Sequence, residues 1–230
     1  MQILALETST EAGSCALWRD GELIERSCPA GRSHSETLLP LVRELLAEGA
    51  LTISQLDAIA FGVGPGAFTG LRVACGAAQG LAVSADLPLI PITSLEAMAA
   101  ASGGKQVLAL LDARMGEVYS AAYVASEVGW VVQGEIRVGT PVDIDFSAKT
   151  ADWLACGNAL KAYPVLAERA ALAGLVVLPD ILPDASWVAR LAAPRLARGE
   201  GMDPAQAVPL YIRDKVAKTV AERLSEGGKA

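Results

Sequence analysis

Apolar positions along this chain follow two periods, and the order in which those periods appear repeats. Residues 2–6 read as an apolar strand behind Gln2, a turn at Glu11-Ala12-Gly13 follows, and 14–19 and 22–28 read as strands on either side of Asp20-Gly21. Asp-Gly between apolar runs favours a tight hairpin, because both residues tolerate positive φ. The period then lengthens. Leu38, Leu41, Val42 and Leu45 recur at helical spacing behind Ser33-x-x-Glu36, which reads as a capping box. Pro40 lies inside that helix and should kink it or cost about 3 kcal/mol. Thr52-x-x-Gln55 opens a short helical turn, 57–63 reads as a buried strand, and 64–70 is a glycine loop feeding a helix. A strand at 87–91 and a helix capped by Thr93-x-x-Glu96 complete the first half.

After Ser102-Gly103-Gly104 the pattern restarts. A strand at 106–112 runs into a turn at Arg114-Met115-Gly116, and alternating strands follow at 117–125 and 130–138. A strand at 152–156, a helix from about 158 to 173, a strand at 175–179 and a helix at 185–198 close the second half. The sequence therefore predicts an α/β protein of two similar lobes, residues 1–103 and 104–230, the second with a C-terminal tail. Each lobe is a mixed sheet that begins with three antiparallel strands and carries flanking helices, and the lobes face each other across a cleft.

The stretch GPGAFTGLRVACGAAQGLA, from Gly64 to Ala82, carries a puzzle. Between Leu71 and Val83 only Arg72 and Gln79 are polar. A helix apolar nearly all round must be covered nearly all round. The sheet covers one side and the helix beginning near His34 covers part of the rest. Small residues at Ala74, Gly76, Ala77, Ala78 and Gly80 let a further helix approach closely.

Composition narrows the function. Apolar residues make up 52% of 230 and the formal net charge is −7. No apolar run is long enough to span a membrane, and the first residues read as a strand rather than a secretory leader, so a cytoplasmic protein is expected. Nucleic-acid binding draws most of its affinity from phosphate neutralisation, so an acidic chain without a Lys/Arg cluster should reach RNA only through a partner. Cys15, Cys28, Cys75 and Cys156 sit in apolar runs without paired spacing and read as buried free thiols.

Four stretches in order, LETSTEAGSCAL, GPGAFTGLRVACGAAQGLA, DARMGEVYSAAY and PLYIRDKVA, span essentially the whole chain. Together they resemble the TsaB family, subunits of the bacterial machinery that makes threonylcarbamoyladenosine at position 37 of tRNA. The resemblance implies an actin-like, RNase H-related (ASKHA) fold. It also implies a catalytic paralogue, TsaD, as heterodimer partner, an ATPase subunit, TsaE, and a chain that scaffolds or activates without catalysing. A homodimer through the same surface is a further expectation.

The residues themselves point the same way. Actin-like ATPases carry D-x-G-[TS] at the first turn; here Glu7 replaces the acid and Ser9 stands at the glycine position. Glu7, Thr8, Ser9, Thr10, Gly64, Gly66 and Asp112 form at most a vestigial phosphate region, and no cofactor is expected. Leu71 follows Gly70 where a Walker loop needs lysine. Tight turning into a packed helix explains the same glycines without a ligand, although amides at a helix start also suit anions. His34 is the only histidine, and Leu38 stands four residues on, so the H-x-x-x-H metal pair of TsaD-like enzymes cannot form. Asp112, Arg114 and Glu117 are expected to serve as a structural ion-pair cluster. No catalytic residue and no metal site is expected. Two other readings, an autonomous actin-like ATPase or kinase and a glycoprotease-type hydrolase, lack these same features. The expected partner interface comprises Leu38, Leu41, Val42 and Leu45 on one helix with Val73, Gly76, Ala77, Gly80 and Val83 on the next.

Overall fold

The computed structural model describes residues 1–147 and 152–213. Ten strands form two five-stranded sheets. The first contains β1 (Gln2–Glu7), β2 (Ser14–Arg19), β3 (Glu22–Ser27), β4 (Ala58–Gly64) and β5 (Leu89–Thr93), in the order β3-β2-β1-β4-β5. The second contains β6 (Gln106–Arg114), β7 (Glu117–Ser126), β8 (Gly129–Gly139), β9 (Trp153–Cys156) and β10 (Val176–Leu178), in the order β10-β9-β6-β7-β8. Strand for strand the orders match. In each, three antiparallel strands are followed by two parallel ones added on the other side of the first strand. The duplicated pattern in the sequence is a duplicated sheet.

Helices α1 (His34–Glu48) and α2 (Phe68–Ala85) lie on one face of the first sheet. Their inward residues join Leu4, Leu6, Leu17, Ile59 and Phe61 in one apolar cluster. In the second lobe the corresponding crossover is shorter. Pro164 follows α4 (Ala159–Ala162) and occupies the first position of α5 (Pro164–Leu172), where its missing N–H is harmless. The single helix expected over 158–173 is therefore two.

The expected strand at 87–91 begins two residues later. Asp86 adopts a left-handed conformation that ends α2, and Leu87 N–H returns to the Ala82 carbonyl at 3.0 Å, so Leu87 belongs to the helix cap. The Ser33 capping box is absent too: its hydroxyl lies 2.6 Å from the Ser35 hydroxyl, and Glu36 pairs with Arg32. Thr52 and Gln55 do form theirs.

The division near residue 103 separates strands, but helices cross it. Helix α3 (Ser94–Ala101) comes from the first half, yet Leu95, Met98 and Ala99 pack with Val107, Ala109 and Tyr123 of the second sheet. Helix α6 (Ala185–Ala197) comes from the second half, yet Ala185, Val188, Ala189 and Ala192 cover Ile3, Ala5, Ala60 and Ile90 of the first. The exchanged helices are pinned together by a bidentate ion pair of Arg195 with buried Glu96, at 2.6 and 2.8 Å. Beyond α6 the chain returns over the first lobe, where Met202 bridges Leu89 and Ala207 is buried.

Candidate functional site

Two places gather the residues singled out by the sequence: the cleft between the lobes and the outer face of α2. In the cleft, β1 ends at Glu7 and the 64–70 loop closes over the next turn. Glu7, Thr8 and Ser9 are almost wholly buried. The Thr8 hydroxyl donates to the Gly70 carbonyl at 2.7 Å, and Ala67 N–H donates to the Ser9 carbonyl at 2.7 Å. A Cβ on Gly66 would press into Ser9, and one on Gly70 would overlap the Thr8 carbonyl. The loop glycines are therefore accounted for by the approach of one backbone to another. The Gly64–Pro65 peptide is cis.

The Glu7 carboxylate accepts the Ser9 N–H and, at 3.3 Å, the Ser94 hydroxyl. Burial pushes this carboxyl above its ordinary range, with the Ser9 and Ser94 hydrogen bonds opposing. A Cβ on Gly62 would overlap the carboxylate, so the acid fills a fitted slot under the sheet end.

Asp112 stands across the cleft. It accepts Arg114 N–H at 2.9 Å and the Tyr163 hydroxyl at 3.0 Å. Arg114 lies 3.4 Å from Asp112 and reaches over to Glu11 of the first lobe at 2.9 Å. Glu117 pairs with Arg213 instead. The cleft cavity beside Ser9, Asp112 and Asn158 measures about 60 Å³, and an adjoining cavity walled by Phe68, Leu71, Tyr119 and residues 210–213 about 180 Å³. Pockets for drug-sized ligands run from roughly 300 to 1,000 Å³, a range these two miss and that a cavity of about 370 Å³ on the first-lobe side, lined by Thr8, Thr10, His34 and Gly70, enters. His34 is half-buried and donates from Nε2 to the Thr10 carbonyl at 2.8 Å. Among the described residues no group of three or more His, Cys, Asp or Glu is placed to hold a metal ion. Burial pushes the Cys15 and Cys156 thiols up to about 12.

The outer face of α2 is different in kind. Gly76, Gly80 and Val83 are exposed, Val83 at 68%, and Val73 and Ala77 are half-buried. Nothing stands within 4 Å of a Cβ built at Gly76 or Gly80. At its N-terminal end, Arg72 stacks on the Phe68 ring at 3.8 Å and donates to the Tyr211 hydroxyl at 3.0 Å. On α1 the expected surface needs correction. Leu38, Val42 and Leu45 are 1%, 3% and 0% exposed and belong to the core, and Leu41 packs against the same cluster. Helical spacing identifies a stripe without saying which way it faces, and here it faces the sheet. Leu39, 50% exposed, is on the outer side.

Sequence reasoning missed the Glu11–Arg114 pair and the whole of the returning segment. Its signal was the apolar content of AVPLYIR, which is high for a connection. No helix among the described residues is long and apolar enough to cross a membrane.

The TsaD family, tRNA N6-adenosine threonylcarbamoyltransferase, matches residues 29–220. The TsaB tRNA threonylcarbamoyladenosine biosynthesis protein of Escherichia coli is 37% identical, over 94% of this chain and 96% of its own length. That of Haemophilus influenzae is 36% identical over 94% and 95%. A solved structure titled YeaZ, from Pseudomonas aeruginosa, superposes with a TM-score of 0.81 at 36% identity, over 91% of this chain and 99% of that one. The two-lobed α/β architecture is thus the actin-like fold of those proteins, and the chain belongs to the TsaD family and, within it, to the TsaB proteins of tRNA threonylcarbamoyladenosine biosynthesis.

Proposed function

We propose that this chain is a non-catalytic subunit of the tRNA threonylcarbamoylation machinery. It pairs with the catalytic paralogue TsaD through the outer face of α2 and scaffolds or activates it. The observation that carries the reading is the pair Gly76 and Gly80. Exposed glycine inside a helix costs about 1 kcal/mol relative to alanine, and within this chain neither glycine relieves any clash. The advantage of a flat, side-chain-free strip lies outside the molecule, in close approach of a second helix. The turn supports the other half of the reading: Glu7 and Ser9 stand where an actin-like ATPase needs Asp and Gly, and the loop glycines are consumed by backbone packing.

TsaE joins the assembly, tRNA is held through the partners rather than by this acidic chain, and the complex works in the cytoplasm. In the absence of TsaD, two copies pair through the same strip. Mass in solution, for the chain alone and mixed with TsaD, tests the proposal. A one-to-one complex that Gly80→Arg abolishes is the expected result, and unchanged affinity in that variant moves the interface elsewhere. Threonylcarbamoyl transfer by the isolated chain would overturn the non-catalytic assignment.

A further inference from the structure

The returning segment joins the two lobes by a route that the fold does not require. On the first lobe it is anchored by a main-chain hydrogen bond and by a partly buried side-chain amide. Leu210 N–H donates to the Val63 carbonyl at 2.7 Å, and the Gln79 amide donates to the Pro204 and Ala207 carbonyls at 2.9 and 3.1 Å. Three residues after Leu210 the chain is fastened to the second lobe. Arg213 donates to the Ala113 carbonyl at 3.1 Å and pairs with Glu117, and Ile212 packs in the second lobe's apolar cluster. Three residues span at most about 10 Å when fully extended, so the main chain cannot follow a wide separation of the two anchors. Any rotation that widens the cleft at this place must break one of the two anchors.

The anchors are unequal. The first-lobe end is held by hydrogen bonds to its main chain and by the buried Ala207. The second-lobe end rests on one arginine whose Nε is buried without a partner, and on a carboxylate that is 36% exposed. A buried donor left unpaired lowers the net worth of the contact. The other interlobe ion pair, Glu11–Arg114, is exposed on both sides and holds little. The Glu96–Arg195 pair joins the exchanged helices themselves and does not involve residues 210–213.

We infer that residues 210–213 are a releasable latch. It holds the lobes at the closure seen here, and Arg213 is the end that lets go. The hairpin tips farthest from the cleft report it. Glu22 and Glu127 are exposed at the outer ends of the two sheets, so Glu22→Cys with Glu127→Cys accepts a pair of spin labels while the native thiols stay buried. Pulsed electron resonance should give a narrow distance distribution in the otherwise wild-type chain. With Arg213→Ala the distribution should shift or broaden by several ångströms, and amide exchange over 114–119 should quicken about tenfold, with α5 unchanged. A four-residue Gly/Ser insertion between Leu210 and Tyr211 keeps both anchors but adds slack, and it should broaden the distribution too. The insertion decides the matter if Arg213→Ala does not fold. Wild-type distributions and exchange rates in the folded variants would overturn the latch.

Discussion

Helix α2 and the α4–α5 pair occupy the same place in the two sheets, each carrying the chain from the fourth strand to the fifth. In the second lobe the crossover is short, broken at Pro164, and shows solvent a mixed face that includes Lys161, Glu168 and Leu172. In the first it is eighteen residues long and unbroken, and between exposed Thr69 and Arg72 at one end and Ser84 at the other it shows solvent Gly76, Gly80 and Val83. The glycines at the start of the helix and those in its middle also differ. Gly66 and Gly70 prevent collisions with Ser9 and Thr8, whereas Gly76 and Gly80 prevent none. Gly157 is the second lobe's equivalent of the first kind, because a Cβ there would overlap the Leu110 carbonyl. Nothing in α4 or α5 is equivalent to the second kind. Duplication explains the shared glycines, and a use that only one lobe has explains the others.

The strongest way to break this comparison is to confuse the faces. Leu45→Glu places a charge at a 0% exposed position, at a cost of at least about 4 kcal/mol, so the first lobe should fail to fold. Circular dichroism and melting read this directly, and a folded Leu45→Glu protein would show that α1 is not seated as described. Gly80→Arg should do the opposite. Melting stays within about 1 kcal/mol of wild type, and TsaD binding weakens by about 3 kcal/mol, somewhat over a hundredfold. Equal affinity by calorimetry would remove α2 from the interface.

Gly76→Ala with Gly80→Ala sharpens the contrast from the other side. Together they should stabilise the isolated chain by about 1–2 kcal/mol in urea unfolding, while Gly70→Ala destabilises it. A double variant less stable than wild type would mean that these glycines do serve the monomer.

Glu7 gives a smaller, pH-dependent effect. Its folded carboxyl titrates above the unfolded one, so its contribution is fully present below the unfolded value and is lost as pH rises through the folded value. Glu7→Gln should therefore gain on wild type in going from pH 5 to pH 8, and an equal difference at both pH values would contradict the burial of that carboxyl. The smallest expected effect is that of ATP. Ligand at a hundred times its dissociation constant adds about 2.7 kcal/mol, so a clear melting shift at millimolar ATP would show that the cleft still takes nucleotide.

The strands were legible because alternation and Asp-Gly turns are local: β1 to β3 and β6 to β8 lie close to where the pattern put them. The loop 64–70 was legible as a tight turn into a helix, but its packing against Thr8 and Ser9 was not, since glycines that only turn a chain look the same as glycines that hold a ligand. What stayed hidden was partnership. Amphipathic spacing in α3 and α6 says that each buries one face, but not that each buries it on the other half's sheet. The same blindness put Leu38, Val42 and Leu45 outside when they lie inside. The 202–213 segment has no period at all, so its role rests on contacts such as Leu210 with Val63 that no local pattern encodes.

The crossing of α6 onto the first sheet bears on how the chain is born. Ile3, Ala5, Ala16, Ala60, Ile90 and Ile92 are all in place once the first hundred residues have been made, but their cover, Ala185 to Ala192, follows only after every strand of the second sheet. At about 5–20 residues per second, that face waits several seconds or more after β5 emerges. The N-terminal half therefore cannot mature on the ribosome as a finished unit. It stays an open-faced intermediate, a natural client for a chaperone that guards nascent apolar sheet, until α6 has been made.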